Sequence, residues 1–215
     1  MIVHPEGRPG VTRRSAIATG LAAGLSACAT PRPGPSDTAG SLDGLARRSG
    51  RRFGSAVAWG GPGADRGSFA NPAYAAILEK ECSLLVPENE LKWRWTRPGP
   101  GLFDFRQFDT IAGYAASKGF ALRGHTLLWL PEKWYPKWLV GHEFGSSPAA
   151  KAEAMLKEHV RMVCRRYGTR IYSYDVVNEA VQPETGQIRD TVLTKALGHE
   201  ATLDVMFRTA RTEAP

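Results

Sequence analysis

Strand-like apolar runs alternate with amphipathic helical segments along this chain, and this alternation constrains the fold more than any other feature. The strand candidates are Arg52 to Trp59, Ser83 to Pro87, Ala121 to Trp129 and Ile171 to Asn178, and the helix candidates are Pro72 to Cys82, Phe105 to Lys118, Pro148 to Tyr167 and about Thr194 to Thr212. Such alternation predicts parallel strands joined by right-handed helical crossovers. The sequence therefore predicts an α/β fold with four βα units.

Two α/β architectures fit this order. An open, doubly wound sheet fits, although residues 59–63, after the first strand, contain no Gly-rich phosphate turn that opens a clear helix. A (β/α)8 TIM barrel also fits, but such a barrel typically takes about 250 residues. Only about the first four βα units of a barrel would be present in this chain of 215 residues.

The N-terminus has the zones of an export signal in the expected order. Arginines at positions 13 and 14 precede a mildly apolar, uncharged run over residues 15–27 that is too short to span a bilayer. This order is typical of a twin-arginine leader. Two endings remain open: a lipobox with lipidation of Cys28, or peptidase cleavage around residues 27–29. We predict an export signal over residues 1–29 and a periplasmic or extracellular protein, whose membrane contact would be a lipid anchor at Cys28.

Residues 30–41 are rich in Pro and Gly and predict a flexible linker before a folded region of residues 42–215. The net charge of +7 could suggest a nucleic-acid partner, but many of the arginines fall within the first 52 residues. No zinc-finger, RNA-binding or P-loop motif accompanies them, so nucleic-acid binding is the weakest hypothesis.

Cys82 and Cys164 lie in helix candidates, so we expect each to be a small buried residue rather than half of a disulfide. No Cys and His spacing predicts a metal site.

The fourth strand candidate ends in Asn178 followed by Glu179, an amide beside a carboxylic acid. A buried strand packs through apolar and β-branched residues, so packing does not explain an Asn–Glu pair at its end. In parallel barrels, catalytic groups lie at the C-terminal ends of strands. Taken alone, the pair fits a structural acid at a strand end as well as it fits a catalyst.

The second and third strand candidates also carry polar and aromatic groups of a kind that binds sugars. They are Glu88, Asn89, Lys92, His125 and Trp129. Carboxylate, amide and ammonium groups offer the directional donors and acceptors that hydroxyls require, and aromatic rings stack on pyranose faces. Each residue has a structural explanation by itself, but the set at successive strand ends favours a carbohydrate cleft.

Four stretches resemble, in order and spacing, glycoside hydrolase family 10, the endo-1,4-β-xylanases. They are Pro87 to Trp93, Gly101 to Phe105, Arg123 to Trp129 and Asp175 to Ala180, and the resemblance runs from about residue 53 to residue 215. It implies the N-terminal half of a (β/α)8 barrel that acts on xylan or a related β-1,4-linked polysaccharide. It also implies that no metal or organic cofactor is needed and that the full-length protein is a monomer.

The resemblance further implies a role for each candidate residue. Glu179 would be the acid/base catalyst of a retaining mechanism, in which a second carboxylate about 5 Å away attacks the anomeric carbon. Asn178 would hold the hydroxyl next to the reacting carbon. The non-reducing side of the substrate would be bound by Glu88, Asn89 and Lys92, and the cleavage subsite would be lined by His125 and Trp129.

Two features depart from the family pattern. Leu130 stands where the family usually has a second His, and the loop of residues 131–138 is longer than the common form. None of the acidic residues from Asp190 to Glu213 follows a credible later strand, so we expect the nucleophilic Glu to be absent from this chain. The chain would then be a fragment, inactive by itself. The alternative is a truncated or degenerate half barrel that at most binds xylan.

Overall fold

The structure, a computed structural model, describes residues 40–61 and 67–214. The predicted export signal, Cys28 and nearly all of the predicted linker lie outside the described residues. Within the described ranges, no helix combines the length and apolar character that crossing a bilayer requires.

Four strands and seven α-helices make up the described ranges. In chain order they are α1 (Leu42–Arg47), β1 (Gly54–Val57), α2 (Pro72–Glu81), β2 (Leu84–Pro87), α3 (Trp93–Thr96), α4 (Arg106–Lys118), β3 (Ala121–Trp129), α5 (Pro148–Tyr167), β4 (Ser173–Asn178), α6 (Val192–Leu197) and α7 (His199–Glu213).

The four strands form one parallel sheet in the order β1-β2-β3-β4. Gly54 pairs with Leu84, and Leu84 pairs in turn with Ala121, so each strand lies beside the next strand of the chain. Helices connect the strands, as the alternating pattern predicts. The prediction of parallel βα units is confirmed, and this order is that of successive units in a barrel wall.

Local sequence signals explain where the main helices begin and end. Asn71 caps α2 by accepting hydrogen bonds from the next two free N–H groups, and Pro72 occupies the first turn. Gly119 ends α4 in a left-handed conformation at φ 75°, which glycine adopts without a steric penalty. A proline likewise opens α5, and Gly168 follows its last residue.

Three features of the secondary structure differ from the sequence prediction. The short helices α1 and α3 have six and four residues, too few for a helical period to be recognised. The last predicted helix is two helices, because Gly198 at φ 104° interrupts it between α6 and α7. The first strand spans Gly54 to Val57 rather than Arg52 to Trp59, since the N–H groups of Phe53 and Trp59 donate to the carboxylates of Asp43 and Glu90.

The core lies between the sheet and the helices that cover it. Leu122, Leu127 and Leu128 of β3 are buried in the core, and α5 contributes Leu156, Val160 and Val163. Cys82 and Cys164 are buried and free, as small apolar residues would be. The indole N–H of Trp93 donates to the carbonyl of Leu127 at 2.6 Å, which attaches α3 to the end of β3.

Candidate active site

The carboxyl ends of β2, β3 and β4 bring most of the predicted site residues to one edge of the sheet. Glu88 directly follows the last residue of β2, and its N–H donates to the carbonyl of Val57 at the end of β1. Trp129 ends β3 and lies opposite Asn178, which ends β4. Glu179 comes next in the chain. Parallel register therefore groups residues that are up to 91 positions apart, because all parallel strands end at the same edge.

Lys92 joins the groups contributed by β2 and β3. Its Nζ donates to Oδ1 of Asn89 at 3.1 Å and lies 4.2 Å from the centroid of the Trp129 ring. This cation–π contact and the amide bond leave further donors on the ammonium group. Lys92 is thus in contact with two of the other residues predicted to bind sugar.

Carboxylates surround Lys92. Partial burial lowers the pKa of its ammonium below the ordinary value, while Glu88, Glu90 and Glu179 each act to raise it. Glu179, which follows β4, therefore acts on the pKa of the Lys92 ammonium. The site combines the Lys92 ammonium with acids from two segments, since Glu88 and Glu90 follow β2 and Glu179 follows β4.

Glu179 has an unusual backbone conformation. Its φ is 51°, a left-handed value that is uncommon for residues other than glycine. Arg189 holds this bend, because its Nε donates to the carbonyl of Glu179 at 2.9 Å and its N–H donates to the carbonyl of Ala180 at 2.9 Å. The side chain of Glu179 is exposed. Backbone strain that neighbours maintain is concentrated at functional sites, so the bend supports a role for this residue.

His125 lies inside β3 rather than at its end, and its contact is with β4. Its Nδ1 is 3.0 Å from Oδ2 of Asp175, the residue opposite it in the sheet. Arg123 also forms an ion pair with Asp175. Burial raises the pKa of Asp175, but hydrogen bonds from Arg123 and His125 outweigh burial and leave that pKa below its ordinary value. Asp175 fixes the imidazole, a positioning role that strand position alone does not reveal.

Trp134, in the loop that follows β3, also belongs to the site. It stacks on Trp129 with ring centroids 5.0 Å apart and an interplanar angle of 8°. A cavity of about 230 Å³ opens beside this pair. Its lining consists of Asn89, Lys92, Arg94, Trp95, Trp129 and Trp134.

Glu90 is a further residue to which the sequence assigned no role. It is only 4% exposed, and its carboxylate accepts the N–H of Trp59 at 2.7 Å and the N–H of Asn89 at 3.0 Å. These bonds hold the loop after β2 against the loop after β1. Its place between Asn89 and Lys92 is the signal that could have identified it.

Leu130 does not line the cavity. Its side chain is fully buried, and its N–H donates to the carbonyl of Asn178 at 3.1 Å. The residue therefore connects β3 to β4 and packs in the core. In this chain it performs no binding role of the kind that a histidine could perform.

The acidic residues from Asp190 to Glu213 lie away from the strand ends of the described sheet. Glu200, Asp204 and Glu213 belong to α7, and Glu213 is paired with Arg161 and Arg165 of α5. No group of three or more His, Cys, Asp or Glu side chains in the described ranges is arranged to hold a metal ion.

Comparison with known proteins identifies relatives of this arrangement. The sequence profile of the family described as "Glycosyl hydrolase family 10" matches residues 41–215. Endo-1,4-beta-xylanase 3 of Hypocrea jecorina is 31% identical over 176 residues, which cover 81% of this chain and 46% of that protein. Endo-1,4-beta-xylanase 1 of Humicola insolens is 37% identical over 144 residues, covering 66% of this chain and 32% of that protein.

Solved structures agree with the sequence relatives. Native xylanase 10B from Thermotoga maritima superimposes with a TM-score of 0.71 at 27% identity, covering 81% of this chain and 51% of its own. Xylanase 10B from Thermotoga petrophila RKU-1, in complex with xylobiose, also has a TM-score of 0.71, at 26% identity, covering 81% of this chain and 50% of its own. The chain thus spans about half the length of these structures.

Proposed function

Because this chain belongs to glycosyl hydrolase family 10, we propose that it forms part of an endo-1,4-β-xylanase that hydrolyses β-1,4-xylosidic bonds in xylan. Its four βα units are a partial (β/α)8 barrel. The observation that carries the proposal is the position of Glu179 directly after β4, at the sheet edge where Lys92 contacts Asn89 and Trp129.

In this proposal Glu179 is the general acid and base. Its carboxyl group protonates the glycosidic oxygen as the bond to the leaving sugar breaks, while a second carboxylate attacks the anomeric carbon. The resulting carboxylate of Glu179 then removes a proton from the water that releases the glycosyl-enzyme. Exposure of the Glu179 side chain supports this role, because the substrate must reach it.

The neighbouring residues bind the sugar chain. Asn89 and Lys92 offer an amide and an ammonium to hydroxyl groups, while the stacked Trp129 and Trp134 offer an apolar wall. Asn178, adjacent to Glu179, holds the hydroxyl next to the reacting carbon. In this proposal His125, whose ring is oriented by Asp175, lines the cleavage subsite.

The nucleophile is assigned to none of the described residues. The match covers 46% of the Hypocrea jecorina relative and 51% of the Thermotoga maritima chain. We propose that the four βα units work together with the remaining units of a longer barrel, one of which supplies the nucleophilic Glu. Without that carboxylate, the units described here bind substrate but do not complete the reaction.

Export is proposed on the arginines at positions 13 and 14 and the apolar run that follows them. Mass spectrometry of the mature N-terminus tests this directly. A diacylglyceryl group on Cys28 would establish a lipid anchor, and a free terminus near residue 29 would establish simple cleavage. An intact N-terminus on protein recovered from the cytoplasm would contradict export.

The activity itself is tested with the protein that carries the whole barrel. We expect hydrolysis of xylan in which the first product seen by proton NMR is the β-anomer, as a retaining mechanism requires. Glu179→Gln should lower the rate by about 10³-fold, the typical contribution of a positioned acid/base. Glu184→Gln, in an exposed turn beyond β4, is the matched control and should retain the wild-type rate. An α-anomer as first product, or equal rates for both variants, would contradict the proposal.

A further inference from the structure

Arg97 is a buried charge that the proposed reaction does not use. Only 2% of its surface is exposed, although a charged group is costly to bury unless it is paired and hydrogen-bonded. It stands at the C-terminal end of the one-turn helix α3, and Lys92 stands at the N-terminal end. A four-residue helix has little stability by itself, so contacts with the rest of the molecule fix its position. Arg97 is therefore suited to anchor the segment that carries Lys92.

The guanidinium of Arg97 bonds to the segment after α3 and to α5. Its Nε and one of its terminal nitrogens donate to the carbonyl of Pro100 at 3.0 and 2.6 Å. The other terminal nitrogen donates to the carbonyl of Met155 in α5 at 3.2 Å. Glu158, also in α5, accepts a charge-assisted hydrogen bond from the same group. These bonds fasten the end of α3 to α5.

Aromatic rings from α3 and from the loop after β3 pack on the same guanidinium. Its carbon lies 5.6 Å from the ring centroid of Trp93 and 5.6 Å from that of Trp138. The indole N–H of Trp138 also donates to the backbone carbonyl of Arg97 at 2.8 Å. A guanidinium can stack on aromatic rings while its in-plane N–H groups donate hydrogen bonds. Arg97 thus holds α3 against the loop that contains Trp138.

These two segments also carry parts of the proposed cleft. The carbonyl of Lys92 accepts the N–H of Thr96 at 3.0 Å and its hydroxyl at 3.2 Å, so the end of α3 is tied back to Lys92. Trp134 precedes Trp138 in the loop after β3. Nζ of Lys92 lies 4.2 Å from the ring centroid of Trp129, and the Trp134 centroid lies 5.0 Å from it. The two segments that Arg97 joins therefore meet again at Trp129.

We propose that Arg97 is a positioning residue of the xylan cleft: by fastening α3 to the loop after β3, it sets the position of Lys92 relative to the stacked tryptophans. It acts through these residues rather than on the substrate. This inference rests on the proposed function, because it presumes that Lys92 and the tryptophans bind xylan. Loss of the anchor should weaken substrate binding and leave the chemical step at Glu179 in place.

The kinetic test uses the protein that carries the whole barrel. Arg97→Met keeps the length of the side chain but removes its charge and its donors. On xylan we expect KM to rise roughly tenfold with kcat within about twofold of wild type, as when ground state and transition state lose equal binding. Calorimetry in a Glu179→Gln background, which slows hydrolysis, should show a similar loss of affinity for xylotetraose.

A spectroscopic test measures the geometry of the cleft without substrate. Two stacked indole rings give an exciton couplet in circular dichroism, and the difference between wild type and Trp134→Phe identifies the couplet of this pair. We expect Arg97→Met to lose a large part of the same couplet while the helical signal is retained. A residue that only stabilises the fold would leave the couplet unchanged in the folded variant.

Further variants separate the contacts of Arg97. Arg97→Lys keeps the charge without the planar fork and should recover part of the affinity. Trp138→Phe removes only the bond to the Arg97 carbonyl and should raise KM roughly threefold, as loss of one hydrogen bond allows. Arg166→Met is the matched control, because Arg166 also pairs with a carboxylate, Asp109, and lies 5.0 Å from the ring centroid of Phe105, near the C-terminal end of α5. It should keep the wild-type KM and couplet.

The outcomes separate this inference from the proposed function. An unchanged KM and couplet in Arg97→Met, or a fall in kcat alone, would overturn the positioning role and leave the xylan cleft standing. Equal changes in Arg97→Met and Arg166→Met would show a general loss of stability and would also overturn it. If Arg97→Met does not fold, a wild-type KM in both Arg97→Lys and Trp138→Phe would have the same meaning. Failure of the wild-type protein to hydrolyse xylan would instead overturn the proposed function and this inference together.

Discussion

The indole rings of Trp129 and Trp134 stack face to face, with 5.0 Å between their centroids. Trp129 ends a strand of the sheet, whereas Trp134 belongs to the loop that follows it. Trp134 is 39% exposed, so part of its surface remains open beside the cavity. The aromatic wall of the proposed cleft is therefore the pair rather than Trp129 alone.

The first prediction concerns this wall. Trp134→Ala should weaken binding of xylotetraose to the full chain by roughly tenfold, because it removes the open aromatic surface and the support of Trp129. Trp134→Phe should recover part of the loss. Tyr172→Ala is the control, since Tyr172 is 65% exposed and lies just before the start of β4, away from the cavity. Equal losses in Trp134→Ala and Tyr172→Ala, measured by calorimetry, would argue against a sugar-binding wall.

The second prediction concerns Asp175, which is 24% exposed and bonded to Arg123 and His125. Asp175→Asn should lower the free energy of unfolding at neutral pH by about 1.5–3 kcal/mol, the range for hydrogen bonds to charged groups. The pKa of Asp175 is depressed in the folded state, so this stabilisation is complete above the ordinary value of 3.8 and is lost as the pH falls through the folded pKa.

Urea unfolding of wild type and variant between pH 7 and pH 3 measures this contribution. Asp204→Asn is the control, because Asp204 is 54% exposed and its pair with Arg208 is a surface pair. Such a pair contributes about 0–1 kcal/mol. A difference that does not shrink with falling pH would show that the Asp175 carboxylate is not the stabilising group.

The third prediction concerns His159, which is fully buried against Trp93, with ring centroids 4.2 Å apart. Burial and the nearby Arg97 hold the pKa of His159 well below its ordinary value of 6.5. His159 is therefore protonated in the unfolded chain at pH values where it stays neutral in the folded chain. The free energy of unfolding should fall as the pH drops below about 6.5. The slope for one proton is about 1.4 kcal/mol per pH unit.

His159→Phe removes this dependence. Neither ring nitrogen of His159 has a hydrogen-bond partner among the described residues, so the substitution should also raise the free energy of unfolding by about 1 kcal/mol. His142→Phe, at a half-buried histidine, should leave the slope in place because His159 is retained. Parallel pH profiles for wild type and His159→Phe would contradict this account.

The sequence predicted the parts of the fold that local signals determine. The bounds of α5 and β3 agree with prediction, because a proline and a glycine delimit α5 and apolar residues stand at both ends of β3. It missed α3, whose four residues are held by the bond from Trp93 to Leu127 rather than by a helical period. Tertiary contacts of this kind have no local signature.

The same distinction applies to the candidate site. Glu179, Asn178, Asn89 and Lys92 were proposed from strand ends, and parallel register brings their segments to one edge. The pairing of His125 with Asp175 depends on strand register, and the stacking of Trp134 depends on the course of a loop. Residue spacing predicts neither of these two contacts, so only the structure identified them.

The fourth prediction separates binding from catalysis. The polypeptide of residues 42–215 should bind xylotetraose but should not hydrolyse xylan, because no described residue is assigned as the nucleophile. Loss of one member of a two-carboxylate mechanism lowers rates by about 10⁴-fold or more. Reducing-sugar release and calorimetry on one preparation measure both properties. Retaining hydrolysis by this polypeptide, abolished in Glu179→Ala, would contradict the assignment.

The central claim is that Glu179 is the acid/base catalyst, and the dependence of rate on the leaving group tests it most directly. A general acid is essential for expelling a sugar but not for expelling a dinitrophenolate, which needs no proton. The measurement uses the protein with the whole barrel and its Glu179→Ala variant. Xylan and dinitrophenyl xylobioside are the substrates, with and without azide.

The account predicts that Glu179→Ala hydrolyses xylan about 10³-fold more slowly than wild type. The variant should form the glycosyl-enzyme from the aryl xylobioside at a nearly unchanged rate. Azide should restore turnover of this intermediate and give a β-xylosyl azide. Glu184→Ala should match wild type on both substrates. Equal losses on xylan and on the aryl xylobioside, with no azide product, would contradict the claim.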